Sequence, residues 1–166
     1  AGVTNLTTRN GLADNLTSCV WVDDSDVVWV GTSGRGVSRY DRSTFRTFTR
    51  ADGLAGNYVT AINAGPQGSL WFGTMTGLSR WDGRRWQSFT RAEGLPTDHI
   101  TALLPDRSGK RLWIGTAGGG LAVYDAELNV IQASTWHDGL SRDTVNALAQ
   151  DPDGTLWIGT DEGLTH

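Results

Sequence analysis

The chain has a single cysteine, Cys19, among its 166 residues. One thiol forms no intramolecular disulfide and no Cys-x-x-Cys metal or redox motif. Lysine is nearly absent: Lys110 stands alone among 14 basic residues, and the net charge is −4. With no basic excess, binding to nucleic acid through a charged face is not expected. No apolar run approaches the roughly 18 residues of a membrane-crossing helix, so membrane insertion is not expected. The opening Ala1-Gly2-Val3-Thr4 lacks a basic stretch followed by an apolar one. The expectation is that a signal peptide is absent from this sequence or was removed from it. No segment carries a convincing helical period.

What is abundant is glycine, with 22 residues, and tryptophan, with 8. Both are distributed periodically. Trp-x-Gly-Thr occurs at Trp29-Val30-Gly31-Thr32, Trp71-Phe72-Gly73-Thr74, Trp113-Ile114-Gly115-Thr116 and Trp157-Ile158-Gly159-Thr160, at intervals of 42, 42 and 44 residues. Upstream of each lies a Gly-Leu pair: Gly11-Leu12, Gly53-Leu54, Gly94-Leu95 and Gly139-Leu140. Downstream of each comes Gly36-Val37, Gly77-Leu78, Gly120-Leu121 or Gly163-Leu164. Three landmarks in one order, four times over, define an internal repeat.

Each repeat reads as four short strands. In the second unit Val59-Thr60-Ala61-Ile62 alternates with period two, and Gly65-Pro66-Gln67-Gly68 turns the chain. Ser69 to Thr74, Leu78 to Trp81 and Trp86 to Thr90 follow as strands, with Asp82-Gly83 as a hairpin signal. Four antiparallel strands per roughly 40–45 residues are the pattern of a propeller blade. The expected fold is therefore all-β, a β-propeller of four four-stranded antiparallel blades in one domain over residues 1–166. Trp29, Trp71, Trp113 and Trp157 are expected to pack between blades. Gly31, Gly73, Gly115 and Gly159 are expected to let the neighbouring sheet approach. Val3 to Thr8 aligns with the fourth strand Phe45 to Arg50, while the C-terminus stops inside a third strand. This pattern predicts that the N-terminal strand completes the last blade and closes a monomeric ring. The alternative is an eight-bladed ring shared by a homodimer.

The landmarks resemble the two-component regulator propeller repeat, whose blade reads Gly-Leu-Pro-x-Asn-x-Val-x-x-Ile-x-x-Asp-x-x-Gly-x-Leu-Trp-Ile-Gly-Thr-x-x-Gly-Leu. Gly139-Leu140, Val145, Asp151, Gly154, Leu156 to Thr160 and Gly163-Leu164 match it, as do Gly94-Leu95-Pro96, Ile100, Asp106, Gly109 and Leu112 to Thr116. Asp23 to Val28 and Ala64 to Gly68 depart from the Asp-x-x-Gly turn. Members of the family usually carry many more blades, followed by a small β-sandwich and a membrane span, kinase or regulator. The resemblance implies an extracytoplasmic (periplasmic or secreted) sensor module of a bacterial signalling protein. It implies a small-molecule ligand, saccharides among them, and a signalling partner domain.

The residues themselves point to no catalytic constellation. His99, His137 and His166 stand at no metal-ligand spacing, so neither a metal nor a cofactor is expected. Asp23, Asp24, Asp26, Asp151 and Asp153 lie where hairpin turns favour Asp for backbone geometry. Ala117-Gly118-Gly119-Gly120 lacks the Lys-Ser/Thr of a phosphate loop. Trp81 shares its slot with Tyr40 and Tyr124, Trp86 and Trp136 fall on or near outer strands, and Trp21 is unique to the first unit. Ligand-binding candidates are sought instead in slots that vary between repeats. The fifth residue after the first landmark Gly is Leu16, Tyr58, His99 or Thr144, whereas the fourth is always Asn or Asp. The middle hairpin varies as well. Arg35, Tyr58, Met75, His99, Arg142, Asp161 and Glu162 form the candidate rim of a binding face. The expected function is recognition without turnover. The rivals are a ligand-free scaffold and a propeller polysaccharide lyase or hydrolase.

Overall fold

The computed structural model describes residues 3–133 and 144–166. Each repeat forms its own antiparallel sheet. The first holds β1 (Thr17–Val22), β2 (Val28–Thr32), β3 (Val37–Tyr40) and β4 (Phe45–Phe48). The second holds β5 (Val59–Ala64), β6 (Leu70–Thr74), β7 (Gly77–Trp81) and β8 (Trp86–Phe89). The third holds β9 (Ile100–Pro105), β10 (Arg111–Thr116), β11 (Leu121–Asp125) and β12 (Val130–Ala133). The fourth holds β13 (Val145–Gln150), β14 (Leu156–Thr160) and the short β15 (Leu164–Thr165). Strand order within every sheet follows chain order.

The sheets stack face to face, with the first strands in contact in the order β1, β5, β9, β13. Trp29, Val37 and Phe48 of the first sheet pack with Leu54, Val59, Ile62 and Phe72 of the second. Trp71, Leu78 and Phe89 of the second pack with Leu95, Ile100, Leu103, Ile114 and Tyr124 of the third. Leu121 of the third packs with Val145 and Ile158 of the fourth. A buried Trp removes about 200 Å² from water, which at about 25 cal/mol per Å² contributes roughly 5 kcal/mol. The glycine two residues on makes this approach feasible. A Cβ on Gly73 would lie 2.7 Å from Ile100 Cγ2, and one on Gly115 would lie 2.7 Å from Val145 Cγ1.

The other landmarks have structural causes too. Thr7, Thr49 and Thr90 each cap a single 3-10 turn, with Asn10, Asp52 and Glu93 returning the bond. Gly11, Gly53 and Gly94 end these turns at φ of 108°, 109° and 105°, a left-handed conformation that glycine adopts without strain. The following Leu12, Leu54 and Leu95 drop into the core. In the fourth slot, Asn15, Asn57 and Asp98 accept from the N–H groups of Thr8, Arg50 and Arg91 at 2.9, 2.9 and 2.7 Å. The Thr of Trp-x-Gly-Thr donates its hydroxyl across the middle hairpin, as Thr74 does to the Gly77 carbonyl at 2.7 Å.

Ring closure, expected from the sequence, is not shown among the described residues. Residues 3–7 form no strand, and among the described residues nothing pairs with the free edge of β15. The last sheet has three strands, and the structure does not show the ring closed. Among the described residues nothing covers the two outer faces of the stack: Val20 is 65% exposed where its counterparts Ile62 and Leu103 are each 8% exposed.

Candidate functional site

The two kinds of candidate slot meet within each blade. The Met75 N–H donates to the Tyr58 carbonyl at 3.1 Å, Ala117 N–H to His99 at 2.9 Å, and Asp161 N–H to Thr144 at 3.2 Å. Each fifth-slot residue thus adjoins the middle hairpin of its own sheet. Between the first two sheets the contact also crosses blades. Ser33 forms an isolated bridge with Tyr58. Gly36 N–H donates to the Asn57 carbonyl at 2.8 Å. Arg35, Tyr58 and Met75 therefore gather around one backbone junction, with Arg35 exposed, Tyr58 42% exposed and Met75 43% exposed. His99 is half-buried beside the third hairpin. Asp161 has a structural bond, its carboxylate accepting the Thr144 N–H at 2.9 Å. Glu162 is exposed next to it, and Arg142 lies outside the described residues.

A feature outside the candidate rim is a groove of about 550 Å³ between the first and second sheets. Its walls include Trp21, Asp24, Arg39, Arg46, Trp81 and Asp82. Arg39 lies over the Trp29 ring at 6.0 Å, and Arg46 lies over Phe48 at 4.6 Å. The Trp21 indole nitrogen is buried without a hydrogen-bond partner. At the next junction Arg80 occupies the Arg39 slot and donates to the Tyr124 hydroxyl at 3.2 Å and to Gln67 at 2.8 Å. Trp81 holds the Tyr124 slot in the first junction and offers no hydroxyl, and Arg39 turns to Asp41 at 3.6 Å instead. The signal was present in the sequence as Trp81 in a tyrosine slot and as the unique Trp21. Read slot by slot, it meant packing alone.

The acidic residues act as backbone acceptors. The Thr44 and Ser43 donors hold Asp41 well below the usual carboxylate range. Arg85 and Arg84 N–H groups lower Asp82, and Leu128 and Glu127 N–H groups lower Asp125. Asp153, bonded by the Thr155 hydroxyl and beside Asp151, is lowered to about 2. These groups stay ionised and pinned in hairpin turns, a state unsuited to proton donation near neutral pH. Burial pushes the Cys19 thiol up, away from the thiolate a nucleophile needs. Among the described residues no cluster of three or more His, Cys, Asp or Glu is arranged to hold a metal ion. No described helix is long and apolar enough to cross a membrane.

Stacked four-stranded blades with a Trp and a close-approach Gly at each boundary define a β-propeller architecture. Residues 53–76, 94–118 and 139–162 match the two component regulator propeller family. Three of the four repeats of this chain are thus similar to repeats of that family. No curated protein matches the chain. Among solved structures, the extracellular domain assigned to the hybrid two component system BT3049 of B. thetaiotaomicron superposes with a TM-score of 0.83 at 25% identity, over 98% of this chain and 23% of that one. The corresponding domain of BT4673 from the same organism gives 0.73 at 22% identity, over 90% of this chain and 22% of that one. This chain thus spans under a quarter of the length of either domain. Virginiamycin B lyase from Staphylococcus aureus shares the fold at a TM-score of 0.66 and 16% identity, over 90% of this chain and 54% of that one.

Proposed function

We propose that this chain is a recognition segment of an extracytoplasmic sensor propeller and that it binds its ligand without turning it over. Three repeats of the family and the likeness to extracellular domains of two component systems support the sensor reading. One observation carries the placement of the site. The recurring positions are taken up by packing and backbone bonding, whereas the variable Arg35, Tyr58 and Met75 stand exposed around the Ser33–Tyr58 bridge. A planar cation, a phenol and a flexible thioether suit a polar ligand with one apolar face. Saccharides are the first class to test, and a signalling domain is the partner that would read out their binding.

The test is titration calorimetry against a panel of neutral and acidic oligosaccharides, with a reducing-sugar assay run on the same mixtures. Binding without release of reducing ends is expected. Arg35→Ala and Tyr58→Ala should each weaken it at least tenfold. Affinity unchanged in both variants would remove the site from this junction, and turnover would overturn recognition without catalysis.

A further inference from the structure

One cross-strand row of the first sheet differs from its counterparts. Trp21, Trp29, Arg39 and Arg46 stand directly opposite one another on β1 to β4. Trp29 and Phe48 pack against the second sheet, and Arg46, two residues before Phe48, shares that face. The same row reads Asn63, Trp71, Arg80 and Gln87 in the second sheet. In the third it reads Leu104, Trp113, Val123 and Gln132. Of these three rows, the first puts two cations side by side, which is destabilising unless an opposite charge answers it.

The answer within the chain is incomplete. Arg39 reaches Asp41 at 3.6 Å, but Ser43 and Thr44 already bond that carboxylate. Arg46 lies over Phe48 at 4.6 Å and forms no ion pair among the described residues. At the next boundary the equivalent space is bridged. Arg80 bonds the Tyr124 hydroxyl and Gln67, and Gln67 bonds the Ala126 carbonyl at 3.4 Å. At the first boundary Trp81 replaces that tyrosine, and a groove of about 550 Å³ remains. That is the size of a small-molecule site.

The acids of the groove limit what it accepts. Asp23 takes the N–H groups of Ser25 and Val27 and the Trp29 indole. Asp82 takes the N–H groups of Arg84 and Arg85. Asp24 is exposed on the β1–β2 turn, at the Trp21 end of the row. An anionic group therefore belongs at the Arg39–Arg46 end, and a second one near Trp21 would meet Asp23 and Asp24.

We infer that this groove binds a monocarboxylate with a flat, apolar body. The carboxylate accepts from the Arg39 and Arg46 guanidiniums, whose planar forks suit it. The flat body lies against Trp21 and Trp81. The groove sits at the end of the sheet that carries the β1–β2 and β3–β4 turns. Arg35 sits on the β2–β3 hairpin at the other end. The two sites are separate, and this one does not rest on the saccharide reading.

Titration calorimetry of the intact chain with three compounds of one shape tests this: cinnamate, the neutral cinnamamide and the dianionic para-carboxycinnamate. Cinnamate should bind at one site, and the other two at least tenfold more weakly. Arg39→Gln and Arg46→Gln should each weaken cinnamate at least tenfold with an unchanged circular dichroism spectrum. Arg46→Lys should recover only part of the loss, and Asp24→Asn should improve the dianion several-fold. Arg35→Ala should leave cinnamate binding unchanged. Arg46 is exposed, so its variants decide the matter if Arg39→Gln fails to fold. Equal affinity for cinnamate and cinnamamide overturns the inference. So does cinnamate binding that survives Arg46→Gln, or no binding up to the solubility limit of cinnamate.

Discussion

The indole N–H of Trp157 donates to the carboxylate of Asp151 at 3.0 Å. The other oxygen of that carboxylate takes the N–H groups of Asp153 and Thr155. The turn residue and the packing residue of one blade are thus a single unit. Asp23 repeats the arrangement with Trp29 at 3.2 Å. In the second sheet Ala64-Gly65 replaces the acid, and the Ser69 hydroxyl takes the Trp71 indole at 2.9 Å. A Cβ on Gly65 would collide with that ring. In the third sheet one more residue separates Asp106 from Trp113, and the indole nitrogen is left without a partner.

Removing the acid should loosen both elements. Asp151→Ala and Asp23→Ala are each expected to lower stability by about 1–3 kcal/mol, the range for losing charged hydrogen bonds to partly buried donors. Asp106→Ala, which holds no indole, should cost less. Denaturant midpoints of the three variants check the ranking, and equal losses would refute it.

The close-approach glycines separate internal boundaries from the open end. Gly73→Ala places a Cβ 2.7 Å from Ile100 Cγ2 and should destabilise by about 1–3 kcal/mol. Gly159→Ala meets only Ala147, at 3.7 Å. Its effect on chain stability should stay within about 0.5 kcal/mol. Thermal melts of the two variants at low protein concentration read the difference directly.

Trp71 is fully buried between Phe89 and Tyr124, with ring centroids at 5.5 and 4.6 Å. Trp71→Ala should cost about 3–5 kcal/mol. Trp157 is half-buried, with His166 against its ring at 4.9 Å. Trp157→Ala should cost less than half as much in the single chain. Urea unfolding followed by fluorescence gives both values.

Acid should weaken the fold through its turns. Asp153 is lowered from 3.8 to about 2 in the folded chain, and Asp41 is also lowered. A folded pKa below the unfolded one stabilises fully above about pH 4, and that contribution disappears as pH falls through the folded value. The urea midpoint should therefore drop between pH 4 and pH 2. Asp153→Asn and Asp41→Asn should each flatten that drop, and an unchanged profile in both would contradict the assignment.

The blade was legible because its landmarks are local. Gly53 ends a turn four residues after its Thr49 cap, and Thr74 bonds Gly77 within one hairpin. Such contacts span few residues and recur wherever the short motif recurs. The constancy of Asn or Asp in the fourth slot was legible for the same reason, since Asn57 accepts from Arg50 only seven residues away. The candidate rim was legible only as slots. That Arg35 and Tyr58 share a junction depends on a bridge between two sheets. The groove at Trp21 and Arg39 depends on which side chain the neighbouring blade presents, and the repeat pattern averages that difference away.

By itself, then, the sequence determined four repeats, their strands, the Trp and Gly at each boundary and the caps between them. Each of these follows from backbone geometry or from packing that a repeat imposes on its neighbour. Whether the ends meet is a matter of tertiary structure, and the described residues do not show a closed ring. Alignment of Val3 to Thr8 with Phe45 to Arg50 shows that the N-terminal stretch is suited to an outer strand. It does not say where that stretch lies, because closure depends on the angle accumulated over every sheet in the stack. The result is two apolar faces, around Val20 and Leu164, that the local pattern would have buried.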